Sequence, residues 1–196
     1  PVYNESFPNA AYVSDINYVS DSGTNDIQWT LTMKNGDTIF LSTRLTIEKQ
    51  PAVSYYAEDT PMETTEELNA LLASIEEEAS ADTPVYLHLP AVTYDGDITF
   101  GDHVWGISGS KDGDAMTTFT GTVSIKGHDG NYADLSGINF EGKGGIGLDA
   151  YCLVLLTDCN FTGWDTAAVA QNGAWVNAME CTFANNTVGL KFNTSM

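Results

Sequence analysis

Leu135-Ser-Gly-Ile-Asn-Phe-Glu-Gly142, Leu156-Thr-Asp-Cys-Asn-Phe-Thr-Gly163 and Ala178-Met-Glu-Cys-Thr-Phe-Ala-Asn185 align without a gap. Their phenylalanines, Phe140, Phe161 and Phe183, are 21 and 22 residues apart, and Ile138, Cys159 and Cys181 keep the same spacing. A fainter copy, Thr117-Thr-Phe-Thr-Gly121, places Phe119 another 21 residues upstream of Phe140. A fixed period of about 20 residues, built from short alternating segments and Gly-rich corners, predicts a solenoid.

The chemistry inside one period selects the kind of solenoid. Ile138/Phe140, Cys159/Phe161 and Cys181/Phe183 are apolar at i and i+2 with a polar residue between, which is strand alternation. Two residues past each Phe stand Gly121, Gly142, Gly163 and Asn185, types that tolerate a left-handed corner. No helical period separates the copies, and the Leu ladder of a leucine-rich repeat is missing. A parallel β-helix meets these conditions, because successive coils pair at about 4.8 Å and stack like residues into inward rows.

These coils, reading Cys-Asn/Thr-Phe-x-Gly/Asn, resemble the right-handed parallel β-helix of the pectate-lyase-like superfamily, in its secreted or surface bacterial type. Val85-Tyr-Leu-His-Leu-Pro-Ala-Val-Thr-Tyr94 is similar to the first strand of such helices, with Val92 where Gly is usual. The resemblance covers roughly residues 64–196. It implies fold more than activity, since the superfamily holds lyases, hydrolases, adhesins and stalks. Its lyases bind uronates through acidic clusters with calcium and need a basic residue near the substrate carboxylate. Arg44, outside the repeats, is the only arginine here. The Asn-x-Asp, Asp-Asp, Gly-His-Gly and Arg-x-Lys set of polygalacturonases is also missing.

The 196 residues carry 27 acids against 7 bases, a formal charge of −20. Nucleic acids and anionic membranes, which need clustered Lys and Arg, are therefore not expected partners. Such a charge suits a soluble extracellular surface, with divalent cations as the next possibility. Cys152, Cys159 and Cys181 are too few for a disulfide scaffold, and Cys159 and Cys181 read as stacked buried thiols. No signal peptide, membrane span or lipidation motif is found. The chain opens at Pro1 and stops at Met196 inside a repeat, so we read it as a piece of a longer protein.

Residues 1–10 read as a linker and 11–57 as a small antiparallel β-region, with strands at 12–19, 27–34, 38–48 and 52–56. Asn35-Gly36 marks a hairpin there. Residues 58–83 form a boundary and the one convincing helix. Thr64-Thr-Glu-Glu67 offers a capping box, and Leu68, Leu71, Leu72, Ile75 and Ala79 make one apolar stripe. That helix is expected to cover the open first coil. Residues 84–196 supply roughly five coils, the last truncated.

For ligand binding, the candidate residues are Asp158, Trp164, Asp165, Trp175 and Glu180. Alternation places Asp158 and Glu180 in one outward row, with Asp165 near the next corner. Paired carboxylates at ~5–9 Å are the machinery of glycosidases, and a solvated acidic face explains these acids equally. Trp164 and Trp175 offer flat faces for sugar rings, or core packing. Gly144-Gly-Ile-Gly-Leu-Asp-Ala-Tyr151 fits a calcium nonapeptide, but only once, where tandem copies are needed. The Asp/Gly runs at Asp95-Gly-Asp97, Asp112-Gly-Asp114 and Asp129-Gly130 read as turns. No cofactor is expected, calcium being the one candidate, and no catalytic set is assigned. The leading expectation is a non-catalytic extracellular or cell-surface domain that binds glycan or another ligand, or is structural. The alternatives are a piece of a polysaccharide lyase or glycoside hydrolase whose site lies elsewhere, and the ectodomain of a membrane-anchored sensor.

Overall fold

The computed structural model describes residues 10–19, 23–47, 52–79, 83–127 and 132–193. The chain divides into two compact units, Pro1–Gln50 and Pro51–Met196. Most of the expected linker and the Asp129-Gly130 turn lie outside the described residues.

In the first unit, β1 (Ala10–Val19), β2 (Gly23–Met33) and β3 (Thr38–Ile47) form an antiparallel sheet in sequence order. Asn35-Gly36 turns the chain as expected. Gly36 adopts φ 92°, and the backbone N–H of Asp37 donates to Asn35 Oδ1 at 3.1 Å.

The second unit is a parallel β-solenoid. It begins with β4 (Val53–Tyr56), which pairs parallel with β5 (Val85–His88). Residues 52–56 are therefore not a fourth antiparallel strand, as the alternation suggested. A run of four alternating residues looks the same in either orientation, and here the strand extends the solenoid's own sheet. Between the two lies the helix α1 (Thr65–Glu78). Its capping box is present: Glu67 N–H donates to Thr64 Oγ1 at 3.2 Å, and Thr64 N–H donates to Glu67 Oε2 at 3.1 Å. Leu68, Leu71, Leu72 and Ile75 are buried in the same core as Val85, Leu87, Tyr94, Ile98 and Phe100 of the first coil. The helix caps that coil.

Five coils follow, each giving one strand to each of three parallel sheets. The first runs from β5 through β6 (Thr93–Tyr94) to β7 (Ile98–Phe100). The second has β8 (Val104–Ser108), then a small antiparallel hairpin of β9 (Lys111–Asp112) and β10 (Ala115–Met116), then β11 (Thr118–Phe119) and β12 (Val123–Ile125). The third contains β13 (Tyr132–Ser136), β14 (Asn139–Glu141) and β15 (Ile146–Ala150). In the fourth are β16 (Leu153–Thr157), β17 (Asn160–Thr162) and β18 (Thr166–Gln171). The fifth comprises β19 (Val176–Met179), β20 (Thr182–Ala184) and β21 (Val188–Asn193).

Register stacks like on like. Phe119, Phe140, Phe161 and Phe183 are consecutive partners, and Tyr94 heads the same row. Ring centroids along this ladder are 4.2–5.8 Å apart. The Tyr94 hydroxyl donates to the Met62 carbonyl, which ties the ladder to the segment before α1. Cys159, two residues before Phe161, is a buried free thiol, and Cys181 holds the same place, half-buried, in the next coil. Burial pushes the Cys159 thiol up to about 12, as expected for a thiol that packs as a small hydrophobe.

The four corner residues past each Phe do not share one role. Gly163 and Asn185 adopt left-handed φ of 84° and 56°. Gly121 and Gly142 instead supply space: a Cβ would meet the Gly96 backbone at 2.2 Å and the Trp164 ring at 2.3 Å, respectively.

Candidate functional site

The five residues read from sequence fall at three different corners. Asp158 and Glu180 occupy successive coils between β16 and β17 and between β19 and β20. Both are exposed and left-handed, with φ 52° and 56°, in the row where Gly137 has φ 64°. They are corner residues rather than the outward strand pair expected, because β16 and β19 end just before them. Trp164 and Asp165 lie between β17 and β18. Trp164 is only 4% exposed. Its indole N–H donates to the Phe140 carbonyl at 3.1 Å, and its ring lies over Gly142 and Gly147 of the preceding coil. It therefore offers no face to a ligand. The Asp165 carboxylate accepts the Gly145 N–H at 2.8 Å and holds the neighbouring turn.

Trp175 is different. It precedes β19, is 69% exposed, and its carbonyl accepts the Val154 N–H at 2.7 Å. Val154 pairs with Val176, so Leu153 and Trp175 are neighbours across adjacent coils. Leu153 in turn pairs with Tyr132. Tyr132, Leu153 and Trp175 thus form one exposed row over three coils, with Ala133, Val154 and Val176 buried one residue further on. At about 4.8 Å per coil, the row runs roughly 10 Å along the solenoid axis. Tyr151, also exposed, stands at the corner before Leu153. Its hydroxyl donates to Asp149 Oδ2 at 3.0 Å, and Lys126 Nζ lies 4.0 Å from its ring centroid. The hydrogen bond to Asp149 raises the Tyr151 hydroxyl pKa.

Sequence reasoning named Trp175 but missed Tyr132 and Leu153. The signal was present: 132, 153 and 175 are separated by the same 21 and 22 residues as the phenylalanines.

In the Asp95-Gly-Asp97 turn both carboxylates are engaged within the fold. Asp95 Oδ1 accepts from Thr120 Oγ1 at 2.8 Å, and Asp97 Oδ1 from the Thr122 N–H at 2.8 Å. Asp149, in the nonapeptide-like stretch, also accepts from Gln171 Nε2 at 2.6 Å. Gln171 Oε1 accepts from Asn193 Nδ2 at 2.9 Å, which continues this polar ladder into the fifth coil. Among the described residues, no group of three or more His, Cys, Asp or Glu is placed to hold a metal ion. Among them also, no helix is long and apolar enough to cross a membrane.

No family model, curated protein or solved structure matches the chain.

Proposed function

We propose that this chain is a non-catalytic carbohydrate-binding solenoid, with the row Tyr132–Leu153–Trp175 as its contact face. The observation that carries the reading is this row of exposed rings and one leucine, in register over three coils. Aromatic side chains present an apolar face and a polar edge, which matches the C–H face and hydroxyl rim of a pyranose. A contiguous exposed apolar strip on a polar surface marks a site of interaction, and its direction along the coil axis suits an extended chain. The charge of −20 repels polyanions, so the proposed ligand is a neutral glycan rather than a uronate polymer. An extracellular or cell-surface setting and membership of the pectate-lyase-like superfamily, which the coil chemistry resembles, belong to the same proposal.

The test is affinity electrophoresis in gels containing hydroxyethyl cellulose, soluble starch, galactomannan or polygalacturonate. Retardation is expected with at least one neutral polymer, not with polygalacturonate, and without release of reducing ends. Free migration through every neutral gel would refute the proposal.

A further inference from the structure

One of the insertions into the coils folds as a hairpin of its own. Thr93 and Thr118, partners in adjacent coils, are 25 residues apart rather than 21 or 22, because the β9–β10 hairpin is inserted ahead of β11. Thr117 fixes the hairpin's base. It is fully buried, its hydroxyl donates to the Pro90 carbonyl at 2.7 Å, and it accepts the Ser110 N–H at 2.8 Å. The hairpin and the sheet of β6, β11 and β14 border an open recess of about 360 Å³, lined among others by Thr93, Asp114, Met116, Thr118, Asn139 and Glu141. Insertions into a repeat map to one face, often the binding face, and this volume is at the lower end of the roughly 300–1,000 Å³ of small-molecule sites.

We propose that this recess binds one protonated amino sugar. Its lining combines two carboxylates, two threonine hydroxyls and one amide, with no Lys, Arg or His. The Thr118 hydroxyl donates to the Met116 carbonyl at 3.0 Å and accepts from the Asn139 amide at 3.4 Å, which leaves it one lone pair for a ligand. The Asn139 amide donates to Glu141 Oε1 at 2.7 Å, which orients that carboxylate. The recess is thus rich in acceptors. Its complement is a donor-rich ligand: an ammonium for Asp114 and Glu141, through charge-assisted hydrogen bonds, and hydroxyls for the threonines. Met116 gives an apolar wall for the ring. The site goes beyond the aromatic row, lies on a different sheet, and stands or falls separately.

Titration calorimetry with D-glucosamine near neutral pH tests it, with D-glucose and N-acetyl-D-glucosamine as neutral comparators. Saturable binding of glucosamine is expected, with either neutral sugar weaker by roughly ten-fold or more. Asp114→Asn, in an exposed hairpin turn that leaves the coils untouched, and Glu141→Gln should each weaken glucosamine by a similar factor. Trp175→Ala should leave it unchanged. No glucosamine binding at millimolar concentration, equal binding of glucose, or indifference to both carboxylate variants would each overturn the proposal.

Discussion

The ring of Phe161 lies 4.2 Å from that of Phe140, with their planes 4° apart. Both are fully buried, whereas Phe183 at the ladder's end is only half-buried. In a solenoid each coil is stabilised mainly by its neighbours. Phe140→Ala and Phe161→Ala should therefore each cost about 3–5 kcal/mol, and Phe183→Ala clearly less. Urea unfolding of the three variants checks the order. Equal losses at all three positions would contradict a ladder whose end ring is half-packed.

Leu71 and Leu72 place α1 over the first coil, and both are buried. Aspartate at either position loses the burial, about 2–5 kcal/mol for a leucine, and puts a charge against an apolar surface. Lower melting and aggregation are expected, read by thermal scanning and light scattering. Unchanged melting would show that the helix does not seal the core.

Asp158 and Glu180 hold left-handed φ, a conformation that costs L-residues roughly 1–2 kcal/mol. Glycine there relieves the strain but adds unfolded-state entropy, of about 0.4–1 kcal/mol. Asp158→Gly and Glu180→Gly should be neutral or stabilising by up to about 1 kcal/mol, with polysaccharide retardation unchanged. Loss of retardation in either variant would return these acids to the binding site.

Burial raises the Cys159 thiol from 9.0 to about 12 in the folded chain. A group whose folded pKa is raised contributes stability that is fully present below its unfolded value and is lost as pH rises through its folded one. Stability should thus fall between pH 9.0 and about 12, at up to about 1.4 kcal/mol per pH unit for this group. Burial also raises the Tyr94 hydroxyl above 10.0, which steepens the upper part of the fall. Denaturant midpoints across that window should show a shallower fall for Cys159→Ala than for the native chain. Parallel curves would exclude the thiol as a cause.

What could be read from sequence was whatever repeats. Phe119, Phe140, Phe161 and Phe183 announce the solenoid because register turns a sequence period into a spatial row. Tyr94, the first rung, escaped because the β9–β10 insertion stretches its interval to 25 residues. Val53–Tyr56 was misplaced because parallel pairing leaves no local mark on a short strand. Trp164 and Trp175 look alike in the chain. Their fates differ because Gly142 and Gly147 in the preceding coil clear room for the first ring, while the second stands beside Leu153 at an open corner. The recess under the hairpin had no signal at all, since it is made by residues from three coils.

The row Tyr132–Leu153–Trp175 is proposed to bind a neutral glycan, and Trp175→Ala tests this directly. Because Trp175 is largely exposed, melting should be unchanged within about 0.5 kcal/mol. Affinity for whichever neutral polysaccharide retards the native chain should fall by roughly ten-fold or more. Native-like affinity in that variant, with its fold intact, would contradict the claim.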